Sequence, residues 1–337
     1  MNKTRAFIVA GLFLFVGFIL WTRSQPDPVQ AAANFGWTPP DPAETAAYVQ
    51  AMGNDAYVRT AAPHLFDASN DQEVFLYRAL EKVRPGFYPL NQGNLGSCVS
   101  FGWGICCDTL LAIDVGLGKS GEFYEAAEES IYGLARNEAF GRISHSRSAG
   151  ASGVGAAKGV SNYGVIYRKK YDSFGFDLSK YDIPLCANWG AEGNGGSKDG
   201  LNGPFDREAK QHPIKTTALV RTVDELKAAL QNGYPVAICS GQGFSSVRDK
   251  DGFARASGSW SHCLACLGYR DGGRPGFLIV NSWGHNWNSG PKYKDQPDGS
   301  FYAEPSVVAS MLRGNDSFAL SGETGFPAKK LENKLHW

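Results

Sequence analysis

The chain opens on an apolar run. Residues 6–21 carry no charge, are rich in Phe, Leu, Ile and Val, and follow Lys3 and Arg5. As a helix these 16 residues reach about 24 Å at ~1.5 Å per residue, a little short of a ~30 Å hydrocarbon core. The run is apolar all round and starts beside the charged terminus, so it reads as a signal anchor or signal peptide over residues 1–24, not as a core helix. Ala31-Ala32-Ala33 supplies small residues for cleavage. Both readings place the rest of the chain outside the cytoplasm, anchored by its N-terminus to a membrane or else secreted or periplasmic.

Residues 25–87 pattern as a linker and lead-in. Gln25-Pro26-Asp27-Pro28 and Pro39-Pro40-Asp41-Pro42 resist helix. Val74, Leu76, Leu80 and Val83 recur at helical spacing and predict a helix over 71–83, ended by Arg84-Pro85-Gly86. Residues 98–113 are apolar or small almost throughout, which predicts a central buried helix stopped by Gly116 and Gly118. A second helix is expected over 121–136 and a short strand over 165–167. Residues 172–214 hold Gly190, Gly193, Gly195, Gly196, Gly200 and Gly203, and read as a long surface insertion. Thr222 caps a helix with Glu225 three residues on, Leu226, Ala229 and Leu230 facing inward, and Gly233 at the end. Strands follow over 235–240, 262–270 and 276–281. Helices come first and strands later, without βαβ alternation, so the fold class is α+β. The catalytic domain is expected over 88–320, with a tail over 321–337.

Charge narrows the function classes. Lys plus Arg and Asp plus Glu are 33 each. No basic field suits nucleic acid, and the six histidines are too scattered for a metal site. No cofactor is implied. Of the seven cysteines, a free nucleophile would leave six with their pairing open. Adjacent Cys106 and Cys107 make a strained bridge.

Chemistry concentrates in Asn91-Gln92-Gly93-Asn94-Leu95-Gly96-Ser97-Cys98. A cysteine on the first turn of the long apolar helix meets backbone N–H groups and the helix dipole, which favour thiolate over thiol. Gln92, folded back by the glycine-rich loop, offers an amide N–H that with the Cys98 backbone N–H would make an oxyanion hole. His262, in Trp260-Ser261-His262-Cys263, opens an apolar strand and is a candidate proton acceptor. Asn281 ends another strand. If the strands pair, its amide oxygen accepts the ring N–H of His262 and fixes tautomer and orientation, with Trp283 shielding the bond.

These residues together resemble the papain-like cysteine peptidases. The family motif Gln-Gly-x-Cys-Gly-Ser-Cys-Trp reads here Gln92-Gly93-Asn94-Leu95-Gly96-Ser97-Cys98-Val99. The motif Asn-Ser-Trp-Gly-x-x-Trp is complete as Asn281-Ser282-Trp283-Gly284-His285-Asn286-Trp287. Tyr163-Gly164-Val165-Ile166-Tyr167-Arg168 looks like the segment after the family's substrate-binding glycines. The resemblance covers roughly residues 88–320. It implies two lobes: a helical one with the nucleophile on its central helix, and an antiparallel β-barrel-like one carrying His262. It also implies Cys98 as nucleophile, His262 as general base and acid, Asn281 as orienting residue and Gln92 as oxyanion donor. A protein or peptide substrate would lie in the cleft, its backbone against Gly150 and Gly153, with Trp283 nearby.

Departures from the family pattern bear on function. Leu95 replaces a family cysteine, and Val99 replaces the aromatic after the nucleophile. Cys98 and His262 are 164 residues apart, against a family spacing of about 130–150. No segment before residue 88 resembles the family propeptide. The rival expectation is a catalytically inactive papain-like domain serving as an extracytoplasmic binding or scaffold module. Transfer of the acyl group to an amine is a third. Two motifs are set aside. Gly116-Leu117-Gly118-Lys119-Ser120 lacks the first glycine of a phosphate loop, since Ile113 stands there. Cys263 and Cys266, three apart on a strand, face opposite ways and suit packing, not metal.

Overall fold

The computed structural model describes residues 33–51, 73–87, 89–140, 150–189, 204–271, 273–327, 329 and 331. The apolar run at 6–21 and the small-residue stretch after it lie outside them. The helices are α1 (Pro42–Ala51), α2 (Tyr77–Val83), α3 (Cys98–Gly116), α4 (Glu128–Phe140), α5 (Gly153–Tyr163), α6 (Ile183–Asn188), α7 (Pro204–Ala209), α8 (Val223–Gln231) and α9 (Pro305–Leu312). The strands are β1 (Ala33–Asn34), β2 (Val74–Phe75), β3 (Lys170–Tyr171), β4 (Phe176–Asp177), β5 (Thr216–Leu219), β6 (Val236–Arg248), β7 (Ala254–Arg270), β8 (Gly276–Val280), β9 (Ser300–Ala303) and β10 (Phe318–Ser321).

Helix α3 is the core element that the apolar run at 98–113 predicts, extended to Gly116. It is long and apolar enough to cross a membrane, yet 83% of its apolar window is buried inside the protein. A helix apolar on every face needs partners on every side, and here it has them. Helix α4 starts seven residues later than periodicity suggests. The amide of Ala126 bonds Asp108 Oδ1 at 2.6 Å, and the amide of Ala127 bonds the Ile166 carbonyl at 2.7 Å. Those tertiary bonds hold the backbone extended up to the helix start. The expected strand at 165–167 reduces to one bridge between Tyr167 and Ala126.

The larger sheet runs β5-β10-β6-β7-β8-β9, with β1 and β2 added on β7. Its six-strand path is antiparallel and open, with β1 alone added in parallel: among the described residues no pairing joins β5 to β9, so the barrel-like lobe is not a closed barrel. Strands β6 and β7 contain the first two expected strands and extend well past them, pairing from Val236↔Cys266 to Arg248↔Ala254, and β8 is the third. Helix α8 has its capping box: Thr222 Oγ1 accepts the Glu225 amide at 3.1 Å and Glu225 Oε2 accepts the Thr222 amide at 3.2 Å.

Three expectations about organisation change. The lead-in joins the fold, since Asn34 pairs with Ser261 and Val74 with Tyr269, and Tyr77 donates to Asp295 Oδ1 at 2.7 Å. Strand pairing at Val74 and Phe75 shortens the helix expected over 71–83 to α2. The insertion has structure of its own. Tyr171, Phe174, Phe176, Trp189 and Phe205 pack ring on ring, with centroids 5.1–6.1 Å apart. Its glycines from 190 to 203 lie outside the described residues. The tail is packed too, with Phe326 and Leu331 in the core. All seven cysteines are free thiols, and all are buried.

Candidate active site

Helix α3 approaches β7 closely because of Gly102. A Cβ there would lie 2.9 Å from the Cys263 sulfur. One turn before Gly102, Cys98 stands at the helix start. Its N-cap, Ser97, makes no side-chain cap bond, so first-turn amides stay free for the sulfur. The backbone N–H groups of Cys263, Val99 and Cys98 itself lie near the Cys98 sulfur and favour its thiolate. Cys263 is the residue after His262. The close helix–strand contact therefore brings the thiol against the strand that carries the imidazole.

On β7, His262 faces Ser240 of β6 across the ladder. Its Nε2 lies 2.7 Å from Asn281 Oδ1, just beyond the end of β8. The same oxygen accepts the Ser282 amide at 2.7 Å. That second bond identifies it as oxygen, so Nε2 of His262 must be the donor. In the neutral ring the lone pair then sits on Nδ1. Nδ1 is buried and has no hydrogen-bond partner among the described residues. Trp283 stacks on the His262 ring at 5.0 Å and 29° and shields it from water.

Gln92 is held from both ends. Its amide N–H bonds the Ser282 carbonyl at 2.9 Å, and Ser282 Oγ donates to its Oε1 at 2.7 Å. Nε2 is thereby turned the other way. One hydrogen goes to the Leu95 carbonyl at 2.9 Å, and the other points out to an oxygen described below. The two sequence motifs, 190 residues apart, thus meet at Gln92 and Ser282.

By sequence, no family model and no curated protein matches the chain. By structure, xylellain, a cysteine protease from Xylella fastidiosa, is similar with a TM-score of 0.56 at 19% identity, over 86% of this chain and 96% of its own. Digestive procathepsin L 3 of Tenebrio molitor larval midgut gives 0.48 at 13%, over 82% and 78%. Bromelain from Ananas comosus gives 0.44 at 15%, over 75% and 99%. The fold is that of the papain-like cysteine peptidases.

In this papain-like fold the groove between the lobes holds a piece of the chain itself. The segment 33–38 bonds β7 on one side, through Phe35 N to the Ser261 carbonyl at 3.0 Å. On the other it bonds Ala151, whose amide donates to the Gly36 carbonyl at 2.8 Å and whose carbonyl accepts the Thr38 amide at 2.8 Å. The Phe35 ring packs on His262 at 5.3 Å and on Trp283 at 4.6 Å. The Phe35 carbonyl accepts the outward hydrogen of Gln92 Nε2 at 2.9 Å. On this side the backbone hydrogen bonds to the segment come from Ala151. Gly150 instead gives its amide to Tyr132 Oη at 3.1 Å, and Gly153 gives its own to Asp316 Oδ2 at 2.7 Å. Gly150 nevertheless lies against the segment, since a Cβ there would meet Thr38 Oγ1 at 2.8 Å and the Gly36 carbonyl oxygen at 2.9 Å. Nothing in the lead-in's Pro- and Ala-rich pattern marks Phe35 to Trp37 as a groove occupant except the two aromatics themselves.

Burial sets the charge state of the pair. Desolvation, then the neighbouring Cys263 thiol, pushes the Cys98 thiol well up, against the three backbone N–H groups. Desolvation likewise draws His262 down to about 4, against its bond to Asn281. With the groove filled, thiol and imidazole are both neutral. The low thiol pKa expected from the helix terminus is not the property of this state, because the sulfur is closed off from water.

Proposed function

We propose that the chain is a cysteine-type peptidase acting on proteins or peptides outside the cytoplasm, and that this structure is its resting state. The observation that carries the reading is the Asn281–His262 bond, which leaves Nδ1 as the base nitrogen beside the strand position that touches the Cys98 sulfur. When 33–38 leaves the groove, water returns and the ion pair becomes favourable. Nδ1 takes the Cys98 proton, and the thiolate adds to the substrate carbonyl carbon. The oxyanion lies on the Cys98 N–H and on the Gln92 Nε2–H that Phe35 now occupies. The imidazolium returns its proton to the leaving amine as the C–N bond breaks. His262 then deprotonates water, which attacks the thioester and frees Cys98.

The test is cleavage of an unfolded protein by the purified chain, with Cys98→Ala as control. Loss of cleavage in Cys98→Ala supports the peptidase. Folded protein with no cleavage in either, even with the groove opened, leaves the inactive scaffold. Residues 1–24 serve location in this reading. Fractionation of the full chain separates an anchored, intact product from a shortened, soluble one.

A further inference from the structure

The loop 92–97 joins the proposed oxyanion donor to the start of the nucleophile's helix. No disulfide ties it down, because every cysteine is a free thiol. A side chain from outside the loop reaches both of its ends. Tyr181 belongs to the stretch that reads in the sequence as a surface insertion. Its Oη lies 3.3 Å from the Gln92 carbonyl oxygen and 3.3 Å from Ser97 Oγ. A phenol has one hydrogen to give. With that hydrogen on the Gln92 carbonyl, the Ser97 hydroxyl is the donor to Oη. Turned towards Tyr181, the same hydroxyl makes no cap bond on the first turn of α3.

The phenol is itself held in place. Its ring stands edge-on to Phe101 at 4.9 Å and 86°, with the Arg168 guanidinium over its face at 5.7 Å. Burial raises its pKa, so Oη keeps its proton. The following residues extend the contact. The Asp182 amide donates to Glu129 Oε1 at 3.0 Å, and a Cβ on Gly93 would lie 2.6 Å from Ile183 Cδ1. The two bonds of Oη are long for a hydroxyl, and each stabilises the fold only modestly. Their weight lies in placement. An oxyanion donor acts at about 2.7–3.1 Å from the point where charge develops, so a loosened loop costs rate before it costs affinity.

We infer that Tyr181 is a positioning residue for the oxyanion hole: its phenol, bridging the Gln92 carbonyl and the Ser97 hydroxyl, holds the Gln92 amide donor and the Cys98 N–H at the spacing that one oxyanion needs. The inference rests on the peptidase reading. Tyr181 acts through Gln92 and does not itself touch the reacting atoms.

The test compares two ligands on the full chain, the tripeptide aldehyde acetyl-Leu-Leu-argininal and the matching alcohol. Cys98 adds to the aldehyde: its sulfur bonds the carbonyl carbon, the thiol proton passes to His262, and the oxygen takes the charge and the place of the oxyanion. The alcohol only binds. Both displace 33–38, so the ratio of their affinities is free of that cost. Tyr181→Phe keeps the ring and loses the hydroxyl. It should bind the aldehyde about five- to tenfold more weakly, and the alcohol within about twofold of the unmodified chain. For protein cleavage, kcat should fall by the same factor with KM unchanged. Ser97→Ala, which removes the other end of the bridge, should show a smaller loss of the same kind. In a Gln92→Ala background, Tyr181→Phe should change aldehyde affinity by less than about twofold, because the donor it places is gone. A merely structural role would give equal losses in both backgrounds. Thermal melts verify folding. Unchanged aldehyde affinity in Tyr181→Phe, or an equal loss in the Gln92→Ala background, overturns the inference. Aldehyde binding that depends on Tyr181 in a chain that hydrolyses no protein counts against the peptidase reading alone. A chain that binds no aldehyde overturns both.

Discussion

The Phe35 carbonyl oxygen accepts a 2.9 Å hydrogen bond from Gln92 Nε2. The donor that would stabilise a reaction intermediate is thus already holding a carbonyl of its own chain. The segment runs parallel to both β7 and Ala151. Its backbone oxygens and amides meet partners on both sides, so in the proposed peptidase a substrate strand has to displace it first.

Gly36 is the point at which that seating is easiest to break. Its φ is +120°, and a Cβ there would lie 2.1 Å from the Gly96 carbonyl oxygen. No L side chain fits. Gly36→Ala should unseat 33–38 without altering any of the proposed catalytic residues. Cys98 alkylation and protein cleavage should both rise about tenfold or more, as one lost strand contact and a strained backbone together imply. Unchanged rates in a folded Gly36→Ala chain would show that the segment does not control access.

His262 and Asn281 should differ in weight. In the proposed mechanism His262→Ala removes the proton carrier, and it should lower turnover about 10²–10⁴-fold. Asn281→Ala leaves Nδ1 in place but frees the ring to turn, so the loss should be smaller. Turnover is measured in the Gly36→Ala background, where the groove is open. Equal losses in folded variants would contradict the separate roles.

Two buried groups carry opposite pH signatures. His262 is lowered to about 4, so its neutral form is the native one. The stability tied to it is complete above about 6.5 and is lost as pH falls towards 4. Asp316 is raised to about 7, so its protonated form is the native one. Its contribution is complete below about 3.8 and is lost as pH rises through 7. Relative to His262→Gln, the unmodified chain should gain melting temperature from pH 4 to 6.5. Relative to Asp316→Asn, it should gain from pH 7 down to 4. Shifts of several degrees are expected, at about 2–4 °C per kcal/mol for a chain of this order of size. Melting curves that stay parallel across both windows would count against this assignment of charge states.

Gly102 tests the helix–strand contact. A Cβ would meet the Cys263 sulfur at 2.9 Å and the Leu264 amide at 3.4 Å. Gly102→Val should push α3 off β7, destabilise the fold by about 1–3 kcal/mol, and lower turnover by moving Cys98 from His262. Denaturant unfolding and turnover check the two effects separately. Full activity in a stable Gly102→Val chain would mean that this close approach does not position the nucleophile.

Local pattern alone decided much of the scaffold. The apolar run of α3, the Thr222–Glu225 cap and the strand cores of β6, β7 and β8 follow from residue type and spacing. These elements satisfy their own backbone and bury one continuous surface, so neighbours in sequence suffice to specify them. Gln92, Cys98, His262 and Asn281 were legible as a set because the two motifs keep their internal spacing. Tertiary structure decided the rest. The start of α4 depends on Asp108 and Ile166, and β2 on Gly268 and Tyr269, partners far off in sequence. Phe35 and Trp37 lie in a stretch that reads as linker. Their places are fixed by Gln92, Ala151 and Asp316, residues far off in sequence that the fold brings within 3 Å of the segment. No periodicity records such contacts. The protonation of Cys98 and His262 was likewise undecidable from sequence, because the helix terminus favours charge while the filled groove excludes the water that would solvate it.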